Sequence, residues 1–106
     1  MAEWINVADA NDFPSGSCHT VEAGNTAIAV FNIDGRFYAI SDLCTHEAER
    51  LCGGKLLGDH IVCPAHGAHF SLSTGEALSP PAYEPVAIFS VRLENGMVQV
   101  KSEPDT

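Results

Sequence analysis

Apolar and polar residues along this 106-residue chain alternate mostly at the spacing of β-strands. Thr26-Ala27-Ile28-Ala29-Val30-Phe31-Asn32-Ile33, then Asp34-Gly35, then Arg36-Phe37-Tyr38-Ala39-Ile40 predicts a hairpin. Val86 to Leu93, Asn95-Gly96 and Met97-Val98-Gln99-Val100 predict a second. Trp4-Ile5-Asn6-Val7 and Cys18 to Val21 read as further strands, and Asp9 to Phe13 as one helical turn before Pro14-Ser15-Gly16. No stretch has the pattern of a long amphipathic helix.

The middle of the chain is different. From Leu43 to Ala82 glycine and proline recur, at Gly53-Gly54, Gly58, Pro64, Gly67, Gly75 and Pro80-Pro81, as suits tight loops around a small bound object. His60-Ile61-Val62 and Ala68 to Leu72 read as short strands within it. The expected architecture is one all-β domain over residues 1–106, with an antiparallel, sandwich-like base from residues 1–42 and 83–101. Residues 43–82 form an inserted lobe, and residues 102–106 are expected to fray. Trp4, Phe31, Phe37, Tyr38 and Phe89 are assigned to the core.

Composition narrows the function. Apolar residues make up 45% of the chain, enough for one core, and no apolar run approaches the ~18 residues of a membrane span. A net charge of −9 argues against nucleic acid as a partner. It suits a carrier steered toward basic patches on other proteins, and equally suits plain solubility. The acidic start, Met1-Ala2-Glu3-Trp4, lacks the features of a signal peptide, so a cytoplasmic protein without membrane association is expected.

The chemistry lies in two short segments. Cys44-Thr45-His46 and Cys63-Pro64-Ala65-His66, separated by 16 residues, each offer one thiolate and one imidazole. Pro64 stiffens the second turn and Gly67 relaxes it. Two such loops can hold a [2Fe–2S] cluster, with both Cys on one iron and both His on the other. The same donors also permit a tetrahedral zinc site. Cys18 and Cys52 are expected as buried or half-buried free thiols, since a bridge between them is disfavoured in a reducing compartment. His19, His60 and His69 read as ordinary polar residues.

The two ligand segments, with His60-Ile61-Val62 before the second, Gly67-Ala68-His69-Phe70 after it and Ser73-Thr74-Gly75-Glu76-Ala77 beyond, resemble the Rieske ferredoxin family. The branch they resemble most is that of the small ferredoxins serving bacterial ring-hydroxylating dioxygenases. The resemblance spans nearly the whole chain, with Ser79-Pro80-Pro81 matching the proline-bearing loop that covers the cluster in that family. It implies a Rieske [2Fe–2S] cluster on Cys44, His46, Cys63 and His66, with the two histidine rings as the electron exit. It also implies an electron-transfer component rather than an enzyme, passing single electrons from an NAD(P)H-dependent flavoprotein reductase to a terminal oxygenase. An oxygenase would need a second iron site and far more chain. A Rieske small subunit of an assimilatory reductase, such as nitrite reductase, is the alternative, and a structural zinc domain a third. A monomer is expected, because a shuttle must show its cluster to two partners in turn. One departure is Leu51-Cys52-Gly53, where many members carry Ser in place of Cys52.

The resemblance also bears on potential. High-potential members carry hydroxyl side chains at the positions of Ala68 and Phe70, and a loop–loop disulfide at those of Glu49 and Ala65; this chain can form none of these. Asp42, Glu47 and Glu49 add negative charge around the first segment, screened where exposed. The expected potential is near the bottom of the Rieske range, around −150 mV.

Overall fold

The computed structural model describes residues 3–23, 26–42, 51–63, 67–78 and 85–105. Ten strands account for most of them: β1 (Trp4–Asp9), β2 (Cys18–Ala23), β3 (Thr26–Ile33), β4 (Arg36–Ser41), β5 (Lys55–Leu57), β6 (His60–Val62), β7 (His69–Ser71), β8 (Ile88–Phe89), β9 (Val91–Glu94) and β10 (Met97–Lys101). They form three antiparallel sheets, ordered β1-β10-β9, β2-β3-β4-β8 and β5-β6-β7. Among the described residues, helix is confined to single 3₁₀ turns at Ala10–Asp12 and Leu51–Gly53, the first capped by the Asp9 carboxylate accepting from the Asn11 N–H.

The turns follow their chemistry. Asp34-Gly35 and Asn95-Gly96 adopt positive φ at both positions, 52° and 88° in the first and 52° and 81° in the second. These are the paired left-handed residues of tight hairpins, for which Asp or Asn before Gly is the favoured solution. Both predicted hairpins are present.

The middle sheet is shared by two cores, and β3 shows how. Successive strand side chains point to opposite faces. Ile28 and Val30 join Phe13, Ala39, Phe89, Val98 and Val100 in a cluster against the β1-β10-β9 sheet. Ala29 and Phe31 join Ile40, Leu51, Ile61, Cys63, Phe70 and others in a second cluster against the β5-β6-β7 sheet. The unbroken apolar run Ala27 to Phe31 is therefore the mark of a strand buried on both faces. Strands from the two ends of the chain make up the outer and middle sheets, and β5, β6 and β7 pair in a sheet of their own.

Three expectations need correction. Val86 to Leu93 is not one strand: β8 pairs with β4 in the middle sheet, the chain turns at Ser90, and β9 pairs with β10 in the outer sheet. One apolar run thus serves two sheets, which the run itself does not reveal. Residues 102–105 are not frayed. Ser102 exchanges hydrogen bonds with Glu3, the Asp105 N–H donates to the Ile88 carbonyl at 2.7 Å, and the Ser90 hydroxyl donates to the Asp105 carboxylate at 2.6 Å. Trp4 lies outside both cores, half-buried on the outer face with the Arg92 guanidinium 4.2 Å over its ring. Phe31 and Phe89 are buried as expected, and Phe37 and Tyr38 pack against the two cores from their margins.

Candidate metal centre

The second ligand segment connects β6 to β7. β6 carries Ile61 inward, paired with Phe70 on β7, and both are fully buried. Cys63 follows directly. Its N–H donates to the Ala68 carbonyl at 2.8 Å, and its carbonyl accepts from the Gly67 N–H at 3.0 Å. Gly67 has φ +73°, in the left-handed region where glycine is favoured. The turn is thus pinched at its base, and Cys63 is held there 1% exposed, in no disulfide. Outside any disulfide and fixed in place, Cys63 is left as a donor that can act as a thiolate ligand. Residues 64–66, and with them His66, lie outside the described residues.

The first ligand segment, with Cys44 and His46, also lies outside them; its base does not. The Leu51 N–H donates to the Asp42 carbonyl at 2.9 Å, so the two ends of the segment are held together. Beyond it, Leu51 packs in the same cluster as Cys63 and Ala68. Gly54 lies against the Val62 carbonyl so closely that an added Cβ could not be accommodated. The base of the first loop therefore abuts the strand that delivers Cys63. The segment bearing Ser79-Pro80-Pro81 falls outside the described residues, but its flanks are anchored beside β7. The Leu78 N–H donates to the His69 carbonyl at 2.7 Å, and the Val86 N–H to the Gly75 carbonyl at 2.8 Å.

Cys18 and Cys52 are joined in a disulfide, which corrects the expectation of free thiols. Their Cα atoms lie 5.7 Å apart, within bridging range, because β2 runs alongside the 3₁₀ turn at Leu51–Gly53. Compartment had argued against the bridge, while the fold supplies the proximity that sequence could not show. The bridge also removes both residues as metal donors, so Cys44 and Cys63 are the two thiols left to the chain.

Asp42 was taken for one of several acids flanking the first loop; it is fully buried. One carboxylate oxygen accepts from the Thr20 hydroxyl at 3.0 Å and the other from the Cys52 N–H at 2.9 Å. The signal available in sequence was slight: a carboxylate directly after an apolar strand and before a loop, a position where Asp engages nearby backbone N–H groups. His19 stacks edge-on with Phe13, and His60 sits between Asp59, at 3.4 Å, and the His69 ring. Ala68 and Phe70, beside Cys63, are both fully buried and carry no hydroxyl.

Residues 3–90 match the family described as the Rieske [2Fe-2S] domain. The ferredoxin component of the naphthalene 1,2-dioxygenase/salicylate 5-hydroxylase systems of Ralstonia sp is 37% identical over 100 residues, covering 94% of this chain and 96% of its own. Ferredoxin CarAc of Metapseudomonas resinovorans is 38% identical over 101 residues, with 94% of each chain covered. A chain from the solved complex of reduced oxygenase and oxidised ferredoxin in carbazole 1,9a-dioxygenase superposes with a TM-score of 0.92 at 36% identity, over 97% of this chain and 96% of that one. The choice left open by the donor set, zinc or cluster, falls to the cluster: the chain belongs to the Rieske [2Fe–2S] domain family.

Proposed function

We propose that this protein is a soluble one-electron carrier whose Rieske [2Fe–2S] cluster is held by Cys44, His46, Cys63 and His66. It takes electrons from an NAD(P)H-dependent flavoprotein reductase and delivers them to a terminal ring-hydroxylating oxygenase. It works as a cytoplasmic monomer and performs no catalysis of its own. The observation that carries the reading is Cys63, a buried thiol outside any disulfide, fixed at the pinched base of a loop that packs against the base of the other ligand loop. The cluster supplies a one-electron couple. The chain supplies the donors and keeps Cys63 in an apolar cluster.

The potential should be low for this class. Hydrogen bonds to the sulfurs raise it, and the two buried side chains flanking Cys63 on its β7 side, Ala68 and Phe70, can donate none. The fully buried Asp42 carboxylate lies two residues from Cys44, away from the salt that screens exposed charge. Relatives that are dioxygenase-system ferredoxins favour the oxygenase over an assimilatory reductase as acceptor.

Film voltammetry of the purified protein, with EPR of the reduced sample, tests this. The expected result is the spectrum of a cluster with two His and two Cys ligands and a potential around −150 mV. A potential well above ~0 mV, or a colourless protein with stoichiometric zinc, refutes it. Among acceptors, turnover with a ring-hydroxylating oxygenase supports the reading. A stable complex with a large assimilatory reductase, without such turnover, overturns it.

A further inference from the structure

The buried carboxylate of Asp42 has a place that ligation alone does not explain. Burying a carboxyl group is costly unless hydrogen-bond donors hold it. Here the donors come from two separate parts of the fold. Thr20 is on β2, in the base, and Cys52 is in the 3₁₀ turn that ends the first ligand loop. The Asp42 backbone adds two more bonds, its N–H donating to the Ala27 carbonyl at 2.9 Å and its carbonyl accepting from Leu51 at 2.9 Å. One residue thus ties β2, β3 and the far end of the loop to the loop's own start.

The disulfide joins the same two parts. Cys18 and Thr20 are two apart on β2 and share a face. Cys18 is bonded to Cys52 through sulfur, while Thr20 reaches the Cys52 N–H through the Asp42 carboxylate. A covalent and a polar link therefore converge on Cys52, directly behind residues 43–50.

We propose that Asp42 is the positioning residue of the first ligand loop: its carboxylate, backed by the Cys18–Cys52 disulfide, fixes the span between residues 42 and 52 so that Cys44 and His46 meet the cluster in one geometry. The inference rests on the ligand assignment given above. Ligand loops set in this way need support from behind, and looseness there is felt as poor retention and altered ligand geometry.

Three variants of the holoprotein test it: Asp42→Ala, Asp42→Asn and Thr20→Val. The readouts are the EPR spectrum of the reduced cluster and the rate of visible-absorbance loss in excess chelator, with circular dichroism as the check on folding. Asp42→Ala removes the links to Thr20 and Cys52. It should shift or broaden the EPR features and speed cluster loss by about tenfold or more, the scale of losing a hydrogen bond to a charged group. Thr20→Val removes one link at an exposed position and should speed loss severalfold. Asp42→Asn should rescue both readouts to within about threefold of the parent, since an amide oxygen still accepts from Cys52 and Thr20 can turn to accept from the amide. If Asp42→Ala fails to fold, Thr20→Val against the parent decides. Unchanged spectra and loss rates in a folded Asp42→Ala and in Thr20→Val, even with lowered thermal stability, overturn the proposal by reducing Asp42 to a structural role. A parent protein lacking the spectrum of a cluster with two His ligands overturns instead the ligand assignment on which it rests.

Discussion

Replacing Cys18 and Cys52 together by serine removes a link that spans 34 residues of chain. In the chain-entropy description, a bridge closing a loop of that length restrains the unfolded state by about 3.8 kcal/mol at 25 °C. For 106 residues the unfolding entropy near 60 °C is about 220 cal/mol/K, so the full effect corresponds to a fall in Tm of about 17 °C. Native-state relaxation takes part of this back, and a fall of about 8 to 17 °C is the expected outcome. The assay is thermal unfolding followed by circular dichroism, with the intact mass of the parent recorded without reductant. The parent should be about 2 Da lighter than its dithiol-treated form, because the bridge forms with loss of two hydrogens. The double variant should keep its strand signal at 25 °C, since the two residues only pack against the margin of one core and serine fills nearly the same space. Two free thiols in the parent, or a Tm change below about 3 °C, would refute the reasoning. Either result would return the base of the first loop to support by Asp42 alone.

Three further outcomes follow from named contacts. Gly75→Ala should cost at least about 2 kcal/mol, seen as a Tm lower by about 9 °C or more, because φ is +78° and an added Cβ would collide with the Val86 carbonyl. Ala68→Ser should raise the potential by about 40 to 60 mV in film voltammetry, one hydrogen bond of roughly 1 kcal/mol on a one-electron couple; an unchanged value in a folded variant counts against the account given for this position. His66→Cys should lower the potential by about 100 mV or more where the cluster is retained, since a thiolate adds negative charge and all-Cys clusters lie near −400 mV.

How much could be read before folding depended on the range of the interaction. Asp34-Gly35 and Asn95-Gly96 are local signals, and both turns formed as expected because the conformation is fixed by the residues themselves. The metal-binding family was legible for the same reason, since thiolate and imidazole at short spacing point to metal whatever surrounds them. Ser90 was not. A change of sheet is decided by which strand lies alongside, β4 for Ile88–Phe89 and β10 for Val91–Glu94, and no residue in the run reports that. Trp4 misled because an aromatic ring at a strand position is usually core, whereas Arg92 and Gln99, far along the chain, make its face polar.

The same distinction separates what holds the ligands from what names them. Cys18 and Cys52 looked like two unrelated thiols, and Asp42 like one more acid in an acidic chain. Their meaning appears only when β2 is set beside the turn that ends the first loop, which brings residues 18, 20, 42 and 52 together across up to 34 positions. Long-range closure of this kind is costly in chain entropy, and a fold gains by arranging it where looseness would do most harm. The core of the lobe is continuous with that of the middle sheet, sharing Ala29, Phe31 and Ile40, and its loop bases are closed by one or two backbone hydrogen bonds each. Of the loop bases described, the one ahead of Cys44 and His46 has eight residues between Asp42 and Leu51, against three between Cys63 and Gly67. It is also the one that carries the disulfide and the buried carboxylate. Reinforcement falls where a short turn such as that at Cys63–Gly67 cannot do the work, and that is the physical case for treating these residues as part of the cluster site.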